Sequence, residues 1–176
     1  AADMQQAISM AEAIEVVKDA FVQLSSKRAQ SPLRTSMSLK NPGEAALIMP
    51  AYLEETQALG VKIVTVLAQN PQRGLPAVQA LVVLFSASSG GPLAIFEGTY
   101  LTRVRTGAAT GAATQVLSRP GSNKLALFGA GGQALSQAEG VWTARTVERI
   151  SICDIVPEKV EVLKGAIKGS PWGRGV

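Results

Sequence analysis

The fold is decided by residues Leu125 to Ala134, which read LALFGAGGQA, an apolar run that leads straight into a Gly-x-Gly-x-x-Ala pattern. A strand followed by these small residues and a helix is the fingerprint of a dinucleotide-binding unit. Gly129 then allows the tight turn, Gly131 lets the backbone approach a pyrophosphate, and Ala134 keeps the helix close to the strand. The N-terminus of the helix attracts the phosphate charge. The stretch predicts a nucleotide site, with a purely structural strand-to-helix turn as the alternative.

The residues that follow continue this unit and supply a carboxylate. Strand-like and helical patterns alternate over Lys124–Phe128, Gln133–Ala144, Glu148–Cys153 and Pro157–Lys168. This alternation predicts a parallel sheet. Asp154 ends the second strand about 25 residues after Gly129, near the roughly 20 at which an acid binds the ribose hydroxyls. Because a carboxylate there repels a 2′-phosphate, NAD(H) is predicted in preference to NADP(H). The alternative for Asp154 is a solvated cap of the next helix.

The first part of the chain is predicted to be rich in β-strand, with one leading helix. Ser9 and Glu12 have the spacing of a capping box, and apolar residues recur at helical period from Met10 to about Lys27. Strand-like runs separated by turns follow over Arg34–Leu39, Ala46–Met49, Gly60–Leu67, Val78–Phe85 and Leu93–Glu97. An antiparallel or mixed sheet is expected. The loop Asn70–Pro76 could cover a site, but such loops are more often plain strand connections.

A helix of small residues, Tyr100–Ser118, is predicted to connect this sheet to the dinucleotide unit. Gly107 and Gly111 within it would allow very close approach of another backbone. Their spacing matches the GxxxG motif of membrane-helix dimers. The apolar stretch of this helix is short, however, and two arginines lie beside the glycines, which favours ordinary helix packing. Arg119-Pro120 ends the helix and marks the domain boundary. We therefore expect an α/β protein, with a β-rich domain over residues 1–119 and the first part of a Rossmann NAD-binding domain over residues 120–176.

Composition excludes several classes of function. The chain of 176 residues contains no histidine, which excludes Ser-His or Cys-His catalysis and His-ligated zinc within it. Its one cysteine, Cys153, excludes an intrachain disulfide and a Cys-based metal cluster, and a reducing cytoplasm is expected. The net charge of +4 comes from scattered Lys and Arg residues, and no signal peptide or membrane-spanning run is apparent. Neither a nucleic acid nor a membrane is expected as a partner.

Three cations lie in otherwise apolar surroundings. They are Arg34 at the head of a hairpin, Lys62 within a strand, and Arg105 in the glycine- and alanine-rich helix. A buried cation needs an anion, and a small carboxylate substrate would supply one. Arginine can clamp two carboxylate oxygens, and a desolvated lysine can pass a proton to a reacting nitrogen. The alternative is that Arg34 and Lys62 end on a sheet edge and pair with Glu54, Glu55 or Glu97.

Five short motifs occur in an order that resembles the ornithine cyclodeaminase/mu-crystallin family. They are Met49–Leu53 (MPAYL), Gly60–Lys62 (GVK), Asn70–Pro76 (NPQRGLP), Gly98–Ala109 (GTYLTRVRTGAA) and Phe128–Ala134 (FGAGGQA). The resemblance extends from about Met10 to Leu163 and is far more specific than a glycine fingerprint. It implies a split substrate-binding domain, which also forms a homodimer, packed on a Rossmann domain with the active site between them.

The resemblance also implies roles for individual residues. Arg34 and Lys62 would bind the carboxylate and the amino-group region of a small amino or imino acid, with Lys62 as the catalytic proton relay. Arg105 would contact the cofactor or the substrate. The cofactor-binding positions of the dinucleotide unit would be Gly129, Gly131, Gly132, Gln133 and Asp154, where Gly132 and Gln133 hold the pyrophosphate and Asp154 holds the adenosine ribose.

Members of that family interconvert amino acids and imino or keto acids by hydride transfer at the alpha carbon. The resemblance thus implies an NAD-dependent oxidoreductase or cyclodeaminase-like enzyme, similar to ornithine cyclodeaminase, ketimine reductase or alanine dehydrogenase. The alternative is a catalytically silent, mu-crystallin-like protein that binds a nucleotide or small ligand. Ala77 stands where the family often has Thr, which removes a hydroxyl expected near the nicotinamide. Full-length members are longer, so we expect a truncated form without the catalytic Asp of the cyclodeaminases.

Overall fold

The computed structural model describes residues 6–174 as two compact units. The first unit is Asp19–Thr102, and the second combines residues 6–18 with residues 103–174. The chain therefore passes from one unit to the other within helices and not in loops. The compact units divide between residues 102 and 103, ahead of the predicted boundary between residues 119 and 120, and the functional domains 1–119 and 120–176 stay a prediction.

The elements occur in the predicted order, and the predicted α/β class is confirmed. The helices are α1 (Met10–Ser25), α2 (Gly98–Leu117), α3 (Ala134–Ala144) and α4 (Pro157–Gly169). The strands are β1 (Ala29–Gln30), β2 (Thr35–Ser38), β3 (Ala45–Leu53), β4 (Ala58–Val66), β5 (Val78–Ser86), β6 (Pro92–Glu97), β7 (Lys124–Phe128) and β8 (Arg149–Cys153). A short 3-10 helix, Asn70–Arg73, joins β4 to β5.

Helix α1 begins at the predicted capping box and ends before the predicted residue. The Ser9 N–H donates to Glu12 Oε2 at 2.9 Å, and the Glu12 N–H donates to Ser9 Oγ at 3.3 Å. The helix stops because Lys27 adopts a left-handed φ of 59°, which lets the Arg28 N–H donate back to the Gln23 carbonyl at 2.8 Å. This pattern closes helices by satisfying their last carbonyls.

The first unit contains a six-stranded antiparallel sheet. Strands β3, β4, β5 and β6 are neighbours in that order, and β1 and β2 both pair with the other edge of β3. Met49 on β3 lies opposite Lys62 on β4, which in turn lies opposite Val82 on β5. Because directly paired residues point to the same side of a sheet, these three side chains share one face.

The second unit contains the predicted parallel pair, β7 and β8, with Leu125 opposite Ile150. Helices α3 and α4 pack against this pair through a buried cluster of Ala134, Ala138, Leu163 and Ile167. Within the described residues β7 pairs with β8 alone. Trp172 lies against the buried cluster, and its ring centroid is 5.9 Å from that of Trp142 on α3. The two tyrosines, Tyr52 and Tyr100, belong to the first unit.

Helices α2 and α3 cross at glycines with their backbones in contact. A Cβ on Gly140 would overlap the carbonyl group of Gly107, and a Cβ on Gly107 would overlap the carbonyl group of Ser136. A Cβ on Gly111 would lie 2.6 Å from the Ile14 side chain. The predicted close approach at Gly107 and Gly111 is therefore confirmed as packing within this unit. Across residues 6–174, the helices lack the combination of length and apolar character that a membrane crossing requires.

Candidate functional site

The loop after β7 combines a tight glycine turn with open space beside its backbone. Gly129 takes a φ of 94°, which favours glycine, and its N–H donates to the Cys153 carbonyl at 2.7 Å. A Cβ built on Gly129, Gly131 or Gly132 would meet no atom within 4 Å. Packing therefore does not require glycine at 131 or 132. The open space is what a ligand needs to approach the backbone at the start of α3.

One carboxylate oxygen of Asp154 bonds to this loop, and the other bonds to the residue before α4. Oδ2 accepts the Ala130 N–H at 2.6 Å, and Oδ1 accepts the Val156 N–H at 2.8 Å. These two bonds, first that from Ala130, lower the pKa of Asp154 below its usual value. The carboxylate therefore stays charged at neutral pH. The bond to Val156 does not cap α4, because Val156 is itself the N-cap residue and the helix has no side-chain capping bond. The bond to Ala130 places the charge beside the glycine loop.

Two cavities adjoin the glycine loop, and Gly131 and Gly132 line both. The first, here called the β7 cavity, has a volume of about 540 Å³ and extends along β7 to Thr110 and Gln137. The second, the α4 cavity, has a volume of about 380 Å³ and is lined by α4 together with Arg103. Both cavities therefore border the backbone of the glycine loop.

In the first unit, Lys62 lies within the sheet and Arg34 lies outside its paired residues. Arg34 directly precedes β2, whose first pair is Thr35 with Ile48. The register against β3 shifts by one residue between β1 and β2, so the segment 31–34 is irregular and Arg34 has no partner in the ladder. Lys62 is paired with Met49 on β3.

The burial of the cations differs from the expectation. Lys62 is half-buried and takes part in an interaction with the rest of the molecule. Arg34 and Arg105 are exposed, so the expectation of buried arginines was wrong. Arg34 lies outside the sheet ladder, before β2 begins, and Arg105 lies on an outward side of α2. Exposed guanidinium groups remain hydrated and do not by themselves demand an anion.

The carboxylates of the alternative pairing are largely engaged elsewhere. Glu55 forms an ion pair with Arg28. Glu97 accepts the N–H groups of Thr99 at 2.5 Å and Tyr100 at 3.0 Å, and so caps α2. This capping role had not been predicted, although an acid directly before a helix is the usual signal for it.

The loop Asn70–Pro76 matches the plain strand connection. Its 3-10 helix ends at Gly74, which has a left-handed φ of 71°. The buried Asn70 side chain donates to the Pro76 carbonyl at 3.0 Å, and the Leu67 N–H donates to the Ala77 carbonyl at 2.8 Å. These bonds close the loop on itself.

The structure brings together some predicted residues and adds others. The loop positions 129, 131, 132 and 133 and Asp154 form one place in the second unit, whereas Arg34 and Lys62 both belong to the first unit. Arg105, also in the second unit, lines neither the β7 cavity nor the α4 cavity. Sequence reasoning missed Thr110 and Gln137. Gln137 could have been predicted to line the cavity, because it lies one helical turn after Gln133. No feature of the sequence indicated Thr110.

The chain is similar to reductases and dehydrogenases of known sequence and structure. It is 39% identical over 157 residues to a Delta(1)-pyrroline-2-carboxylate reductase of Bacillus cereus, covering 89% of this chain and 48% of that protein. The structure of the Thermococcus litoralis Delta(1)-pyrroline-2-carboxylate reductase in complex with NADH and L-proline superposes with a TM-score of 0.91 at 39% identity, covering 95% of this chain and 52% of that one. An archaeal alanine dehydrogenase dimer with bound NAD superposes with a TM-score of 0.85 at 32% identity, covering 92% and 49%.

These relatives are nicotinamide-dependent enzymes that act on amino or imino acids. The chain spans about half the length of the curated relatives it matches. The expected resemblance is confirmed by a family model that matches residues 1–171. The chain belongs to the ornithine cyclodeaminase/mu-crystallin family.

Proposed function

We propose that the chain binds NAD(H) at the glycine loop and serves hydride transfer at the alpha carbon of a small amino or imino acid. The observation that carries this proposal is the open backbone at Gly131 and Gly132, tied to the charged Asp154 and placed where two cavities meet. A pyrophosphate on the loop would direct one half of the cofactor into each cavity. The complex of the Thermococcus litoralis relative with NADH and L-proline supports the same assignment.

The first unit would hold the substrate. Arg34 would bind the carboxylate, and Met49 and Val82 would provide apolar contact beside it. A bound nicotinamide would supply or accept the hydride. Reduction of a carbon–nitrogen double bond also places one proton on the nitrogen, and we assign this proton to Lys62. In the direction of oxidation, Lys62 would take the same proton back. Arg105 stays a proposed contact of cofactor or substrate.

We expect NADH to bind more tightly than NADPH. The Asp154 carboxylate, charged at neutral pH, repels a 2′-phosphate at the adenosine ribose, and the difference in Kd should be roughly tenfold. Titration of the chain with each cofactor, followed by tryptophan quenching and energy transfer to the nicotinamide, measures it. Asp154→Asn can still accept an N–H bond but has no charge, so the ratio should fall toward one. Tighter binding of NADPH by the unaltered chain would contradict the assignment.

The same carboxylate gives a direction for the pH dependence of the loop. Because folding lowers the pKa of Asp154, its bonds to Ala130 and Val156 contribute stability above the unfolded pKa. That contribution is lost as the pH falls through the lowered pKa. Nucleotide binding should therefore be insensitive to pH across the neutral range.

We expect turnover to depend on Lys62. NADH consumption with a cyclic imino acid, or with a keto acid plus ammonia, should fall at least about a hundredfold in kcat/KM for Lys62→Met, since proton transfer contributes that much. Lys40→Met, in an exposed turn of the same unit, is the control and should leave the rate unchanged. Saturable NADH binding without turnover in the unaltered chain would instead favour the binding-only function.

We also infer a homodimer. The sheet face opposite Lys62 exposes a run of neighbouring apolar side chains, with Ile63 41%, Leu81 42% and Ile95 66% exposed. Ile63 is paired directly with Leu81, and Ile95 is paired with Val83 next to it. A two-fold interface buries such a patch against its own copy. Sedimentation equilibrium of the chain measures this association, and a monomer at high concentration would refute it.

A further inference from the structure

A polar pair lies in the otherwise mostly apolar β7 cavity. Thr110 Oγ1 on α2 donates to Gln137 Oε1 on α3, and both residues line the cavity together with the glycine loop. The contact joins residues 27 positions apart in the chain. It depends on the helix crossing, since Thr110 is one turn from Gly107 and Gln137 is one turn from Gly140. The two glycines in contact thus set these two side chains face to face.

The direction of the Gln137 side chain leads toward the glycine loop. Side chains on an α-helix lean toward its N-terminus and cover the preceding turn. The residue one turn before Gln137 is Gln133, the cap of α3, whose side chain makes no capping bond. Gln137 lines the same cavity as Gly131 and Gly132, and a lean toward the N-terminus of α3 brings its side chain closer to their loop.

The Thr110 hydroxyl has two acceptors within reach, Gln137 Oε1 and the Thr106 carbonyl oxygen at 3.2 Å. A carboxamide has one oxygen that accepts and one amino group that donates. When the Thr110 proton bonds to Oε1, the amino group Nε2 of Gln137 is the end available to a ligand. A donor at this place suits a phosphate oxygen, and a hydrogen bond to a charged group is stronger than one between neutral groups.

We propose that Gln137 is a further cofactor-binding residue, which donates from Nε2 to the pyrophosphate of a dinucleotide, and that Thr110 is its positioning residue. The inference rests on the proposed binding of NAD(H) at the glycine loop. It adds to the backbone of the glycine loop a side-chain donor whose orientation is set by another helix. Thr110 itself would not touch the cofactor.

Substitution of Gln137 tests the donor. Gln137→Leu should raise the Kd for NADH and for ADP-ribose about tenfold alike, because both ligands carry the pyrophosphate. Gln137→Glu preserves the size and still accepts the Thr110 hydroxyl, but it replaces the donor with a negative charge and should weaken binding further. Wild-type affinity in both variants would overturn the proposal. The Tm of each variant without ligand shows whether it folds.

Substitution of Thr110 tests the positioning role. Thr110→Val should raise the Kd roughly threefold, and Thr110→Ser should restore it because the hydroxyl returns. In the double variant with Gln137→Leu, the valine should add nothing, since Thr110 acts only through Gln137. Thr114→Val is the matched control, because the Thr114 hydroxyl bonds to the Thr110 carbonyl of its own helix and Thr114 does not line the β7 cavity. Additive losses in the double variant would overturn the positioning role.

The two levels of inference fail in different ways. If the unaltered chain binds neither NADH nor ADP-ribose, both the proposed function and the role of Gln137 and Thr110 in cofactor binding are contradicted. If the unaltered chain binds NADH and the substitution of Gly131 abolishes binding while Gln137→Leu does not weaken it, the pair alone is wrong.

Discussion

Gly131→Val will raise the Kd for NADH at least about a hundredfold, while the chain without ligand keeps the wild-type Tm. A Cβ at Gly131 meets no protein atom within 4 Å, so the added side chain should fit the empty loop. It would instead occupy the space through which a pyrophosphate approaches the backbone. Gly131→Ala should have an intermediate effect and raise the Kd for NADH about tenfold. Titration with NADH, together with a thermal melt without it, measures both parts.

The control for this experiment is Gly165→Ala. Gly165 on α4 also has open space around its Cβ position, but it lines neither the β7 cavity nor the α4 cavity. Its substitution should leave NADH binding unchanged and stabilise the helix by up to about 1 kcal/mol. If Gly131→Val bound NADH with wild-type affinity, the pyrophosphate could not lie on this loop, and the proposed nucleotide site would be wrong.

Gly140→Ala will have the largest effect on stability, and we expect it to lower the free energy of unfolding by about 3 kcal/mol or more. The new Cβ would overlap the carbonyl group of Gly107, which is backbone and cannot rotate away. Helices α2 and α3 would have to separate. Helix propensity alone predicts that the substitution raises the free energy of unfolding, because alanine is favoured over glycine by about 1 kcal/mol. The sign of the measured change in this free energy therefore shows whether helix packing or helix propensity dominates.

Urea unfolding measures this prediction. Gly107→Ala should behave similarly, because its Cβ would overlap the carbonyl group of Ser136, whereas Gly165→Ala should not destabilise the chain. An unchanged urea midpoint for Gly140→Ala would mean that the two helices do not touch at these glycines. In any folded Gly140→Ala protein we expect weaker NADH binding too, since the contact between Thr110 and Gln137 depends on the same crossing.

Features determined by local sequence were predictable. The bounds of β7 and the tight turn at Gly129 follow from an apolar run and the need for a positive φ, and both are confirmed. The capping box of α1 is confirmed for the same reason, because Ser9 and Glu12 are three residues apart. The end of α1 was misplaced, since nothing in the sequence shows that Lys27 adopts a left-handed conformation.

Features that depend on tertiary contacts were not predictable. The bond from Ala130 to Asp154 forms only when β8 lies beside β7, so the sequence could not distinguish a ribose-binding acid from a helix cap. Arg34 lies before the paired residues of β2, and its exposure was mispredicted. The roles of these residues stay predictions.

The aromatic side chains have a consequence for experiment, because each compact unit contains its own kind of chromophore. Both tryptophans belong to the second unit, where Trp142 and Trp172 lie close enough for their excited states to interact, and both tyrosines belong to the first. Selective excitation of indole therefore reports on the second unit alone. Tryptophan fluorescence allows the melting of that unit to be followed without a contribution from the first.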